Sequence, residues 1–357
     1  MEVGGTVHLH HDGRGVENVR SVSELPKTLF TLNQVLFTGL TEVNDTHLGE
    51  LRSLLANIDL LNDLQLSGTA VTDKGLEQLD GLAIDQVILH DTQISDAGME
   101  HLQKIKGLNS LTLTKTRVSN AGVARIAEMQ GIINLGLSTT SIDDQALQHR
   151  RDLPNLQMLS VSDTKKTDSG LEHLAVHDKL HSLQLSGNQI GDAGIKHLAG
   201  LRNLRSLELH YAKVTDEGLL ALVELKQLSD LSLPSTRITD ESLKFVADSF
   251  PQLDNLNVGQ CEIGDEGLRD ISKLKKLKHL LIDHTQVTDA GLPHLAALDT
   301  LEELGLGGTP VTDEGLTHLM TLKQLRMLNL KDTKATAVGV AKLQQTLPDC
   351  KIEWDEP

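Results

Sequence analysis

The chain has 357 residues, 39% of them hydrophobic but only 2% aromatic, and a formal net charge of −17. So acidic a balance repels phosphate backbones and anionic lipid, which argues against nucleic acid and membrane surfaces as partners. No stretch approaches the ~20 apolar residues of a membrane helix, the N-terminus lacks the basic and apolar regions of a signal peptide, and Cys261 and Cys350 make no disulfide framework; the expected location is cytoplasmic.

Residues 1–31 carry no repeat, and Thr6 to Val19 reads as a β-hairpin around Asp12-Gly13, an N-terminal cap. From residue 32 to 343 a Leu-x-x-Leu-x-Leu run recurs thirteen times, anchored at Leu32, Leu61, Ile84, Leu108, Ile132, Leu156, Leu180, Leu204, Leu228, Leu253, Leu277, Leu301 and Leu325, mostly 24 residues apart. Around residues such as Leu304 and Leu306 the pattern alternates as a strand does, so both leucines face one side. Three residues after the last Leu of the run stands a Thr in most units (Thr69, Thr92, Thr116, Thr309 among them), placed to satisfy backbone groups where the chain turns inward. An apolar residue follows, then a favoured helix N-cap such as Thr72, Ser95 or Thr312, then an Asp such as Asp73, Asp96 or Asp313 that complements the helix dipole. Two residues after the Asp comes Gly or a small residue, including Gly75, Ala146, Gly218 and Ser242. Glycine costs about 1 kcal/mol inside a helix, so its recurrence predicts a close approach of neighbouring helices. Residues 344–357, with Leu347 to Trp354 as a last short strand, form the C-terminal cap.

No such unit can bury its apolar face alone; stacked at roughly 4.8 Å per strand they make one continuous core. The predicted fold is an α/β solenoid, a horseshoe with a parallel concave sheet and short helices on the convex side. Cys261 and Cys350 lie about four units apart, beyond the ~7 Å limit for a bridge.

The unit Leu-x-x-Leu-x-Leu-x-x-Thr-x-Val-Thr-Asp-x-Gly-Leu-x-x-Leu resembles the cysteine-containing class of leucine-rich repeat, with Thr where that class has Cys. F-box-type ubiquitin-ligase adaptors carry such arrays, although no F-box is evident here. The Thr-rich form at Gly308 to Leu316 is similar to arrays in planctomycete-type bacterial proteins, where Gly-Gly-Thr-Val and Glu-Leu-Pro often precede the array, as Gly4 to Val7 and Glu24 to Pro26 do here. Some of those arrays follow a serine/threonine kinase domain. The resemblance covers nearly the whole chain and implies a solenoid that binds other molecules. It also implies that this sequence is a candidate fragment of a longer protein.

Catalytic signatures are missing: there is no G-x-S-x-G elbow, phosphate loop, H-E-x-x-H pair or C-x-x-C. Of sixteen histidines, His101, His173, His197, His294 and His318 recur just before a core Leu and read as solvated helix flanks, while His8, His10 and His11 belong to the hairpin. No enzyme, cofactor or metal site is expected.

Residues flanking the inward leucines face the concavity and are mostly small and polar. Units eight to eleven break that pattern with Glu208, His210, Tyr211 (the only Tyr), Asp230, His279, Leu281, Asp283 and His284. Tyr and charged groups are typical interface anchors, so these residues are the first candidate site. Against it stands a plain solvated sheet. A secondary basic spot comprises His149, Arg150, Arg151, Lys165 and Lys166, the alternative being long stems that snorkel past the core edge. The expected function is a monomeric, non-catalytic scaffold for a protein or peptide with a basic surface, a candidate for the sensing or targeting part of a signalling protein; the alternative is a spacer array with no single partner.

Overall fold

The computed structural model describes residues 6–11, 14–16, 31–55, 60–149, 153–187 and 189–355. The chain divides into two compact units, residues 1–166 and 167–357. The first contains β1 (Thr6–His11), β2 (Arg14–Val16), β3 (Thr31–Leu36), β4 (Leu61–Gln65), β5 (Ile84–Ile88), β6 (Ser110–Thr112), β7 (Asn134–Gly136) and β8 (Met158–Ser160). β1 pairs antiparallel with both β2 and β3, and β3 to β8 run parallel. The second unit contains β9 (Ser182–Gln184), β10 (Ser206–Glu208), β11 (Asp230–Ser232), β12 (Asn255–Asn257), β13 (His279–Leu281), β14 (Glu303–Gly305), β15 (Met327–Asn329) and β16 (Lys351–Glu353), all parallel in chain order. β3 to β15 supply one strand for each of the thirteen repeats, with short helical segments between them.

Register follows from the leucines. In the second unit Leu183, Leu207, Leu231, Leu256, Leu280, Leu304 and Leu328 stand opposite one another on successive strands, and each is at most 1% exposed. A one-residue slip would turn this whole column to solvent, so burial fixes the pairing. The Thr column does what its position predicts: Thr69, Thr92, Thr116, Thr236, Thr285 and Thr309 each donate their hydroxyl to the carbonyl three residues earlier, at 2.6–2.7 Å. Cys261 takes that place in its own unit, with Sγ 3.3 Å from the Leu233 carbonyl. Both cysteines are buried and free.

The Asp column does more than complement helix dipoles. Asp192 Oδ1 accepts the N–H of Thr215 in the next repeat at 2.8 Å, and Oδ2 accepts its hydroxyl at 2.7 Å. The same two-pronged bond joins Asp45 to Thr72, Asp73 to Ser95, Asp96 to Ser119, Asp216 to Thr239, Asp265 to Thr288, Asp289 to Thr312 and Asp313 to Thr336. At Asp313 burial pushes the carboxyl up, but bonds from the Thr336 hydroxyl, the Thr336 N–H and the Gly339 N–H outweigh it and hold the group below its ordinary range. The Gly column makes room for this bracket. A Cβ on Gly218 would run into the Asp192 carboxylate, with Cγ at 2.9 Å and backbone Cα at 3.2 Å; Gly98, Gly194, Gly267 and Gly291 sit likewise against Asp73, Asp168, Asp240 and Asp265. The close approach is therefore of helix backbone to the preceding repeat's carboxylate, rather than simply of helix to helix.

The exceptions follow the same logic. Ser242 replaces Gly and turns its hydroxyl into Asp216 Oδ1. Asn120 replaces Asp, and Asp143 replaces the hydroxyl residue that it meets: the Asn120 amide donates to Asp143 Oδ1 at 2.7 Å, and its oxygen accepts the Asp143 N–H at 3.0 Å. The missing acceptor and the missing donor are exchanged together, so the bracket survives.

Sequence reading did not foresee the corner after each strand. Asp91, Lys115, Thr139, Asp163, Tyr211, Ser235, Gln260, His284 and Asp332 all have φ between 54° and 59°, and Gly68 and Gly308 share the left-handed region. This conformation carries the ladder past the strand: Tyr211 N–H bonds the Pro234 carbonyl at 3.1 Å, and His284 N–H the Gly307 carbonyl at 2.6 Å. For Asp332 the acceptor is the Asp355 carboxylate, at 2.6 Å.

Candidate partner-binding face

The first candidate residues lie on the strand side of the second unit, in two groups. Glu208 ends β10, His210 and Tyr211 form the corner that follows, and Asp230 opens β11; His279, Leu281, Asp283 and His284 lie on β13 and its corner. β12, with Asn255 and Asn257, runs between the groups. Strand spacing therefore sets the second group ~10 Å from β11.

Tyr211 is 61% exposed. A large residue at positive φ is uncommon, and here the corner geometry holds its ring out from the core. Around it the polar side chains tie neighbouring strands together. Gln184 Nε2 donates to Glu208 Oε1 at 2.8 Å, and Ser206 Oγ donates to Asp230 Oδ2 at 2.9 Å. Burial raises the Asp230 carboxyl most, and the charges of Glu208 and Asp254 raise it further, against the Ser206 bond and the nearby His279; the net shift is upward. An incoming cation would offset part of that upward push.

His210 Nε2 lies 2.8 Å from Ser232 Oγ, a hydroxyl–imidazole pair that sequence reasoning missed because its members are 22 residues apart on adjacent repeats. Ser232 is only 8% exposed, so this hydroxyl has little access to an outside molecule and its bond joins two repeats.

The second group is drawn into the fold. Asp283 Oδ1 accepts the Gly307 N–H at 2.8 Å and the Asn329 side-chain amide at 2.7 Å, two repeats on. Side chains at Gly305 and Gly307 would strike that carboxylate, and one at Gly308 would strike the His284 ring. The glycine-rich turn Gly305 to Gly308 is thus the space that Asp283 and His284 occupy. Leu281 is half-buried and His284 exposed.

In the basic spot, His149 and Lys165 are exposed, while Arg150 and Arg151 lie outside the described residues. Lys166 does not snorkel. It is 2% exposed, and burial pushes its amine down to about 8 despite the charges of Asp163 and Asp144. It stands in the column that holds Val71, Ile94, Val118 and Ile142, where an apolar chain is fully enclosed. That column is closed to solvent, so the stem has no route past the core edge. Among the described residues no cluster of His, Cys, Asp and Glu could hold a metal ion, and no described helix is long and apolar enough to cross a membrane.

A leucine-rich-repeat family model matches residues 177–199, 200–223 and 253–272, the second segment carrying Glu208, His210 and Tyr211. The fold is a leucine-rich-repeat solenoid. Among solved structures, an internalin of Listeria monocytogenes is 23% identical over 91% of this chain and 87% of its own, with a TM-score of 0.64. A leucine-rich-repeat protein of Leptospira interrogans is 20% identical over 85% and 74%, with a TM-score of 0.55. No curated protein matches the chain.

Proposed function

We propose that the chain is a non-catalytic scaffold that recruits a protein or peptide on the strand face of its second unit, around Tyr211. The carrying observation is that exposed ring, 61% accessible, beside the polar strand residues Ser206, Glu208, Asp230 and Ser232. An aromatic ring with a polar tip offers contact area at low entropic cost. Glu208 and the raised Asp230 favour a partner surface that carries Lys or Arg, with binding that weakens as salt rises. The His279–His284 group supplies rim contacts, since Asp283 is already committed to Gly307 and Asn329. The reading includes membership of the Thr-rich bacterial subclass of these repeats and a sensing or targeting role in a larger signalling protein.

The test is a pull-down from the native source, followed by affinity measurement with the captured protein. Tyr211→Ala should cost about 2 kcal/mol if the ring is a hot spot, while Thr112→Ala, on a strand face of the first unit, should be near neutral. Equal and negligible effects would remove the partner from this face.

A further inference from the structure

Beside the sheet face of the second unit, the residues that enter its strands form a row of their own. Arg205, Ser229, Asp254 and Lys278 stand immediately before β10, β11, β12 and β13. The carbonyl of Arg205 accepts the N–H groups of Ser229 and Asp230, that of Ser229 those of Asp254 and Asn255, and that of Asp254 those of Lys278 and His279, all at 2.8–3.0 Å. Backbone therefore fixes the spacing of the row. With Lys275 and Lys276, these residues line an open cleft of about 520 Å³.

Its charge runs against the rest of the molecule. Four cationic side chains face one carboxylate there, in a chain of net charge −17. Two of the four are engaged within the fold: Lys275 Nζ donates to the Ser272 and Ala297 carbonyls at 2.7 and 3.0 Å, and Lys276 Nζ to Gln252. The two ends of the row keep donors to spare. Lys278 Nζ is 3.6 Å from Glu302, with half of its side chain exposed, and the exposed Arg205 guanidinium makes no hydrogen bond or ion pair with any described residue.

We infer that this cleft takes an extended acidic peptide segment of a partner, held by two carboxylates, one on Arg205 and one on Lys278. The two side chains stand three strand spacings apart, roughly 14 Å. An extended chain advances about 3.3–3.6 Å per residue, so carboxylates at positions i and i+4 span that distance. Asp254 between them repels a third carboxylate and accepts a backbone N–H or a hydroxyl, which favours small polar residues between the two acids. Fields from the acidic remainder of the chain fade over the ~8–10 Å Debye length in physiological salt, so the local cluster governs the contact.

The test uses the full chain and fluorescence anisotropy with a labelled peptide, Gly-Ser-Glu-Ser-Gly-Ser-Glu-Ser-Gly. Controls are its glutamine counterpart, an isomer with adjacent glutamates, and inorganic phosphate as competitor. The expected result is binding about a hundredfold tighter than the glutamine peptide, weakened about tenfold by Arg205→Gln and by Lys278→Gln, the loss of one charge-assisted bond each. Both side chains are exposed, so melting curves should be unchanged. Tyr211→Ala should leave this binding intact, which separates failure here from failure of the Tyr211 face. Equal binding of the adjacent-glutamate isomer, displacement by phosphate at the peptide's own affinity, or no binding of any peptide would each overturn the two-point cleft.

Discussion

Along the second unit, the corner where each helix starts and the face of the strands are built on opposite plans. At the corner one bracket recurs from repeat to repeat, with Asp192, Asp216, Asp265, Asp289 and Asp313 each holding the hydroxyl residue of the next unit. On the strand face scarcely any two repeats agree: Glu208, Ser232, Asn257, Leu281, Gly305 and Asn329 occupy one column. A position under architectural constraint must repeat, because every repeat solves the same packing problem with the same neighbour. A position free to vary is where a distinct surface can be written, and Tyr211 and the Arg205–Lys278 row both lie on that freer side.

Substitutions can break this contrast, and the largest effect belongs to the bracket. Gly218→Ala would force a Cβ into the Asp192 carboxylate and its backbone. Overpacking and loss of charge-assisted bonds, less the helix gain of Ala, should destabilise the protein by about 3 kcal/mol in urea titration. Gly200→Ala meets open space and should be neutral or slightly stabilising. Equal effects at the two glycines would refute the bracket as the reason for the Gly column.

Next comes Lys166→Met in the first unit, where one repeat breaks the apolar column. A folded-state amine near 8, against 10.5 ordinarily, means that ionisation opposes folding. The cost is absent above pH 10.5, grows as the pH falls toward 8, and is constant below it, at on the order of 3 kcal/mol. The variant should be more stable than the parent by that amount at pH 7, and the two should converge at high pH. A destabilised variant at pH 7 would mean that the bonds the amine makes outweigh the cost of burying its charge.

A smaller effect is expected at Asp230. Because its carboxyl is raised in the fold, ionisation costs stability above the folded pKa and none below the unfolded one. Asp230→Asn should therefore be slightly stabilising at neutral pH and indifferent in acid, while weakening the captured partner. Smallest of all, Tyr211→Ala should shift stability by less than about 0.5 kcal/mol, as exposed positions do; a larger loss would put the ring in the architecture and off the list of contacts.

The sequence by itself determined the parts of this protein that are local and repeated. Leucine spacing set strand and register, the Thr three residues after the last Leu of the run met that leucine's carbonyl, and the thirteen-fold period specified a parallel stack. Even the exchange at Asn120 and Asp143 is written there, since the one Asn in the Asp column is followed by the one Asp in the hydroxyl column. Tertiary structure alone decided what depends on the next repeat. Only there do the Asp carboxylates reach Thr and Gly 23 to 30 residues away, Asp283 spend its charge on Gly307 and Asn329, and Lys166 lose its route to water. The corner at Tyr211 belongs with these, because its positive φ turns the N–H toward a carbonyl that the neighbouring repeat supplies. Nor could spacing reveal that Arg205 and Lys278, 73 residues apart in the chain, come to lie at the two ends of one cleft: side-chain surroundings are set by what packs alongside, and a linear pattern records only what comes before and after.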